Sequence, residues 1–160
     1  YAHQKQPRLK LWIMGPEDDD PVYAAECHKL VEALDAKNIE FTGRIRTTDY
    51  IGRMDFTILT SISEGQPLTI LESFAAKKPC IATNVGNCAG LIHGEDDAYG
   101  DAGIVVPIMN IHEISNAILK LADNPNLAKQ MGENGYLRLL HKYQISHMET
   151  AYKRIYENLH

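Results

Sequence analysis

The hydrophobic pattern changes its period along the chain. Short runs of apolar and β-branched residues, several of them closed by glycine, alternate with stretches where apolar residues recur every three or four positions. Leu9–Met14 reads as a strand ending at Gly15. After an acidic turn, Asp20 is placed to cap a helix and Pro21 to open it, and Ala25, Leu30, Val31 and Leu34 carry the helical spacing through Val22–Lys37. Glu40–Thr42 is a short strand, Gly43–Arg46 a loop and Thr48–Met54 a small helix. Phe56–Thr60 suits a strand covered on both faces. The polar loop Ser61–Gln66 leads to a helix beginning at Pro67, with Leu68, Leu71 and Ala75 in helical register, Phe74 beside them, and Lys77 and Lys78 at the negative end of its dipole. Cys80–Thr83 is the next strand, closed by Val85-Gly86-Asn87; Asn84–Gly94 is a loop with one helical turn, and Gly103–Val106 is the last strand. Three helices then follow. Ile114, Ile118 and Leu121 mark one ending near Asn124-Pro125, Leu127–His141 is a second interrupted in pattern by Gly132 and Gly135, and Ile145–Leu159 is the third. In that third helix Tyr152 and Tyr156 stand one turn apart, a spacing of core or interface residues.

Strands alternating with helices predict an α/β fold: a doubly wound, mostly parallel sheet with C-terminal helices. Such sheets bind ligands outside the carboxyl ends of their strands, where Gly15, Gly43, Ser61–Gln66 and Val85–Asn87 fall by pattern. A length of 160 residues fits one domain with a sizeable core. The net charge of −5 argues against nucleic acid or an anionic membrane as the main partner. No run approaches the ~18 apolar residues of a spanning helix, and no signal-peptide pattern opens the chain. It starts at Tyr1 rather than methionine, so upstream residues are expected.

Candidate chemistry narrows the picture further. Cys27 and Cys80 fall on packed positions and Cys88 in an exposed turn; three unpaired cysteines point to a reducing, cytoplasmic compartment. There is no CxxC or HxxxH pair, and Glu17–Asp20 lacks the spacing of a calcium loop, so no metal site is expected. The polar stretch His93–Asp101 reads as a wet surface excursion. Glu64 and Glu72 are different. Glu64 lies in the loop after a strand, and Glu72 almost two turns into a helix with mostly apolar neighbours. The first-turn amides of Leu68, Thr69 and Ile70 would suit a phosphate, and Glu72 could take hydroxyls of the same ligand. An anion and a polyol held together describe a nucleotide sugar. Singly, each glutamate also has an ordinary reading as a solvated surface group.

The run Ser63-Glu64-Gly65-x-Pro67-Leu68-Thr69-Ile70-Leu71-Glu72-Ser73-x-Ala75, followed by Lys78-Pro79-x-Ile81-Ala82-Thr83 and Val85-Gly86, resembles the donor-binding half of family 4 retaining glycosyltransferases. Ile39–Arg44 and Ala102–Pro107 extend the match over most of the chain, and Gly86-x-Cys88, Leu91-Ile92-x-Gly94 and Gly100–Pro107 look closest to the bacterial Pel-type exopolysaccharide enzymes. The resemblance implies the C-terminal Rossmann-like half of a two-domain GT-B enzyme, with 1–160 as the nucleotide-sugar-binding domain. It implies a donor-sugar contact and the catalytic position for Glu64, and ribose hydroxyls for Glu72. It places Gly43, Arg44 and Ile45 beside the base, and Gly65, Gln66, Pro67, Leu68 and Thr69 along the nucleotide sugar.

The implied reaction retains anomeric configuration by a front-face route, without metal or cofactor and without a covalent glycosyl-enzyme. The expected donor is a UDP-sugar, with glucose foremost, and the acceptor a growing exopolysaccharide. Expected partners are an N-terminal acceptor domain and a membrane-bound export complex that would hold the protein at the inner face of the membrane. Two departures stand out. Asn87 and Ala89-Gly90 replace a glycine and an acidic residue usual in the family, which removes an expected sugar contact. The family's basic pyrophosphate pair would precede Leu9, so residues 1–160 alone are expected to be catalytically silent. The final helix, which crosses to the other domain in relatives, is expected to expose apolar surface. Two other classes stay open: a non-catalytic interaction module, and a related nucleotide-sugar enzyme such as an epimerase.

Overall fold

The computed structural model describes residues 1–158. The chain forms two compact units, Tyr1–Tyr50 and Ile51–His160.

In the first unit a single turn, α1 (Ala2–Lys5), precedes β1 (Leu11–Met14), α2 (Pro21–Ala33) and β2 (Ile39–Gly43). The strands pair in parallel, with Leu11 opposite Ile39 and Trp12 opposite Glu40, and the Trp12 indole donates to the Glu40 carboxylate at 2.9 Å. The expected cap is present: Asp20 Oδ1 accepts the Tyr23 amide at 3.0 Å, with Pro21 opening the helix. Which face turns inward differs from the expected stripe. Ala24, Cys27 and Val31 are half-buried, while Ala25, Leu30 and Leu34 are exposed, the two leucines at 60% and 67%. The inward stripe carries the smaller side chains, beside a His28 ring lying 4.1 Å from that of Phe41. The small helix expected over Thr48–Met54 is two separate 3-10 turns, Thr47–Asp49 and Ile51–Arg53.

The second unit contains β3 (Thr57–Leu59), α3 (Leu68–Ala75), β4 (Cys80–Thr83), α4 (Cys88–His93), β5 (Gly103–Val106), α5 (Ile111–Ala122), α6 (Pro125–Lys142) and α7 (Ile145–Glu157). The strands lie in the order β3-β4-β5 and are all parallel. Central β4 is buried at every position, as its short apolar run requires. Alternation along it sorts the core into two layers. Cys80 and Ala82 pack with Ile70 and Phe74 of α3 and with Leu91 and Ile92 of α4. Ile81 packs on the other face with Ala117 and Leu121 of α5 and Ala128 and Met131 of α6. Helices therefore cover both faces of the sheet, the doubly wound arrangement.

Helix α6 runs unbroken through both of its glycines. A Cβ at Gly132 would overlap the Lys77 carbonyl, and one at Gly135 the Phe74 ring. These glycines let α6 lie close against α3 and the segment before β4. Their cost in helix propensity, about 1 kcal/mol each relative to alanine, is offset by that close packing. Helix α7 buries no residue, and Ile145, Met148, Tyr152, Ile155 and Tyr156 are exposed along it. Leu159, the expected end of this helix, lies outside the described residues.

Candidate functional site

The loop after β3 is held from below by the end of β4 and from the side by the turn that follows it. Thr83, 1% exposed, donates its hydroxyl to the Ser61 carbonyl at 2.5 Å, and the Ser61 hydroxyl donates to Glu64 Oε1 at 2.7 Å. The Asn87 amide donates to the Gly65 carbonyl at 2.8 Å. Gly86 adopts a left-handed φ of +50° with its α-carbon so close that any Cβ would overlap the Glu64 carbonyl. Both requirements select glycine. Glu64 is half-buried as a result, neither a core residue nor a freely solvated one.

Helix α3 starts one residue later than its proline suggests. Pro67 is the N-cap, in extended backbone at φ −70° and ψ 122°, and not the first helical residue. It offers no side-chain cap, so the amides of Leu68, Thr69 and Ile70 keep the positive end of the helix dipole without a side-chain acceptor. The helix also sits about a third of a turn from the predicted orientation. Ile70, Ser73 and Phe74 are buried, whereas Leu68 and Ala75 are exposed and Leu71 is half-buried. Shape and polarity choose this face: the Ser73 hydroxyl satisfies itself on the Lys78 carbonyl at 2.9 Å and on Thr57 at 2.8 Å, leaving Phe74 to meet the glycine groove of α6. Glu72 consequently lies on an exposed stripe, one turn beyond Leu68, which is 69% exposed.

Glu64, Gly65, Gln66, Pro67, Leu68, Thr69 and Glu72 thus occupy one continuous loop and helix at the carboxyl edge of β3-β4-β5. Gly43, Arg44 and Ile45 belong to the first unit, at the carboxyl end of β2. There Gly43 turns at φ +65° and its carbonyl accepts the Gly15 amide at 3.2 Å, joining the glycine turns that follow β1 and β2. Arg44 is exposed and stands 3.9 Å from Asp18 and 3.7 Å from Asp19, so part of the acidic turn neutralises it; Ile45 is half-buried. A cavity of about 350 Å³ lined by His3, Trp12, Lys37 and Glu40 opens at the amino ends of β1 and β2, the edge opposite these turns. Among the described residues no group of three potential metal ligands converges.

Two expectations are corrected here. Cys88 is fully buried rather than exposed in a turn, because its turn is the first residue of α4, packed in the core with Ile92. Burial raises its thiol pKa, and the Glu64 charge acts in the same direction. The stretch 93–101 is not simply a wet excursion. Asp97 turns inward to Arg138, whose side chain is 0% exposed. The Arg138 guanidinium meets Asp97 at 2.8 and 2.9 Å and also donates to the carbonyls of Leu91, Ile92 and Gly100 at 3.1, 2.9 and 2.7 Å. It closes the C-terminal end of α4 and holds the loop leading to β5. Sequence reasoning missed Ser61, Thr83 and Arg138. Arg138 had a signal: it continues the Ala128, Met131, Gly135 stripe that faces the core.

Parallel strands with helices on both faces and glycine turns at their carboxyl ends define a Rossmann-like fold, which the chain shares with GT-B glycosyltransferases. The chain belongs to the glycosyl transferases group 1 family, whose model matches residues 1–138. It is 29% identical over 139 residues to an uncharacterised glycosyltransferase of Methanocaldococcus jannaschii, a match covering 82% of this chain and 38% of that protein. In structure it is similar to sucrose-phosphate synthase of Thermosynechococcus elongatus, with a TM-score of 0.84 at 22% identity over 99% of this chain and 40% of the other. Anabaena HepE in complex with UDP-glucose gives 0.82 at 18% identity over 99% and 43%. The chain therefore spans roughly two fifths of each of these proteins. Among the described residues no helix is long and apolar enough to cross a membrane.

Proposed function

We propose that this chain is the donor-binding part of a family 4 retaining glycosyltransferase that uses a UDP-sugar, with glucose the preferred sugar. The observation that carries the reading is the pairing of a held carboxylate with an open helix end: Glu64 is fixed by Ser61 directly before the uncapped first turn of α3, and Glu72 follows on the exposed face of the same helix. A pyrophosphate would take the amides of Leu68 and Thr69 and the Thr69 hydroxyl, which stabilises charge on the departing nucleotide. Glu64 would meet the donor sugar, with Gly65, Gln66 and Pro67 shaping the pocket around it. Glu72 would accept the ribose hydroxyls, and Gly43, Arg44 and Ile45 would border the base. HepE, similar in fold, holds UDP-glucose, which supports the choice of nucleotide and sugar. No metal is assigned a role, since the helix dipole and amides can carry the charge.

Transfer itself, with a growing exopolysaccharide as acceptor, belongs in this proposal to the protein with its acceptor half in place. That protein would act in the cytoplasm and meet the membrane through an export complex. In this proposal the 160 residues alone do not turn donor over. Isotope-edited NMR titration with UDP and UDP-glucose tests the site. Shifts clustered at Gly43–Arg46 and Ser63–Glu72, with affinity lowered about tenfold in Glu72→Ala, are expected for hydrogen bonds to ribose made by a charged group. Shifts confined to other surfaces, or equal affinity in the variant, would sink this assignment.

A further inference from the structure

The loop bearing Glu64 is fastened by a side-chain relay that begins in the most buried strand of its sheet. Thr83 ends β4, every residue of which is buried, and its β-branched side chain has little χ1 freedom. Its single hydroxyl proton goes to the Ser61 carbonyl at 2.5 Å, a far better fit than the Leu59 carbonyl at 3.5 Å. Ser61 in turn gives its own hydroxyl proton to Glu64 Oε1 at 2.7 Å, a well-formed hydroxyl hydrogen bond. The backbone on either side of the carboxylate is held as well, by the Gly86 approach to the Glu64 carbonyl and the Asn87 amide on Gly65. A glutamate on a loop would otherwise sample several rotamers, a freedom lost when a ligand fixes it.

We propose that Ser61 and Thr83 are positioning residues: Thr83 holds Ser61, and Ser61 holds the Glu64 carboxylate in the single orientation that meets the donor sugar. The proposal rests on the reading of Glu64 as the donor-sugar contact. Ser61 occupies one lone pair of Oε1 and leaves Oε2 for a ligand hydroxyl. Because the relay starts in a strand and not in another loop, the carboxylate takes its orientation from the rigid part of the fold.

The test uses Ser61→Ala, Thr83→Val and Thr83→Ser, with Glu64→Gln as the reference. Two quantities are read: the Glu64 side-chain carboxyl ¹³C resonance without ligand, and the ratio of UDP-glucose to UDP affinity. Thr83→Val keeps the shape but loses the hydroxyl; Thr83→Ser keeps the hydroxyl. The expected result is a moved carboxyl resonance in Ser61→Ala and Thr83→Val, a near-native one in Thr83→Ser, and a UDP-glucose preference lowered about fivefold in the first two while UDP affinity holds. A purely structural role would lower both affinities together. An unmoved carboxyl resonance in Ser61→Ala and Thr83→Val overturns the relay. A preference that falls in Glu64→Gln but not in those two overturns the positioning role alone. A native chain that does not distinguish UDP-glucose from UDP, or a Glu64→Gln variant that keeps the preference, overturns the donor-sugar reading beneath it.

Discussion

Arg138 and Asp97 meet side by side, Nε to Oδ2 at 2.8 Å and Nη2 to Oδ1 at 2.9 Å, with side chains 0% and 5% exposed. The same guanidinium carries four backbone carbonyls, those of Leu91, Ile92, His93 and Gly100, so removing it takes the main partner from a buried carboxylate and the closing bonds of α4 at once. Arg138→Met is expected to cost about 3–5 kcal/mol, read as a lowered urea midpoint. Arg138→Lys should recover only part of this, because one ammonium cannot reproduce the fork. A loss under 1 kcal/mol would show that the cluster is not needed for stability.

Acid should erase the contribution of this pair. Hydrogen bonds from Arg138 hold the Asp97 carboxyl down at about 2, against the opposing effect of its burial. Its folded value lies below the ordinary carboxylate range of about 3.9, so the stabilisation is complete above that range and is lost as pH falls toward 2. Thermal unfolding of the native chain and Asp97→Asn at a series of pH values checks this. The native advantage is expected to be constant from neutral pH to about 5, to shrink below 4 and to vanish near 2. An advantage independent of pH would contradict it.

Gly135 offers a test whose sign opposes helix propensity. Alanine there would favour the helix by about 1 kcal/mol in isolation. Its methyl would, however, overlap the Phe74 ring, and overpacking in a filled core costs about 1–3 kcal/mol. Gly135→Ala is therefore expected to lower the melting temperature, and a raised one would show that Phe74 yields freely.

The three thiols should separate by reactivity. Cys80 is pushed up to about 12 by burial, Cys88 is raised by burial and the nearby Glu64, and Cys27 alone is partly exposed. Under native conditions a thiol reagent should modify one cysteine quickly, and Cys27→Ser should abolish that phase. Fast modification of Cys88 would mean that the turn before α4 opens readily.

Much of the fold was legible because local signals agreed. Glycines closed two of the apolar runs, proline and aspartate opened α2, and the runs themselves gave β3, β4 and β5 within a residue or so. The loop position of Glu64 followed from the same punctuation. Orientation was less legible than existence. Counting apolar residues favoured Leu30 and Leu34 on α2 and Leu68 and Ala75 on α3, but the faces that pack carry Ala24 and Cys27, and Ser73 with Phe74. A serine that can bond to a nearby carbonyl is a better core residue than its polarity suggests, and a small residue allows closer approach than a leucine. Gly132 and Gly135 looked like interruptions because the helix they accommodate is distant in sequence. Arg138 was hidden for the same reason: its partners lie 38 to 47 residues away. Long-range polar pairing leaves no period behind it.

Helix α6 makes its tightest approaches to the segment before β4 and, through Arg138, to the loop before β5, both at the amino edge of the sheet. The loops after β3 and β4 leave from the other edge. Apart from Thr83 and helix α3, which serve both, the fastening of this unit and its candidate chemistry draw on separate sets of residues. Residues 61–66 and 84–87 can be treated as an exchangeable cassette: swapped together, so that Thr83 and Gly86 still meet compatible partners, they offer a way to reprogram ligand choice without renegotiating what keeps the unit folded.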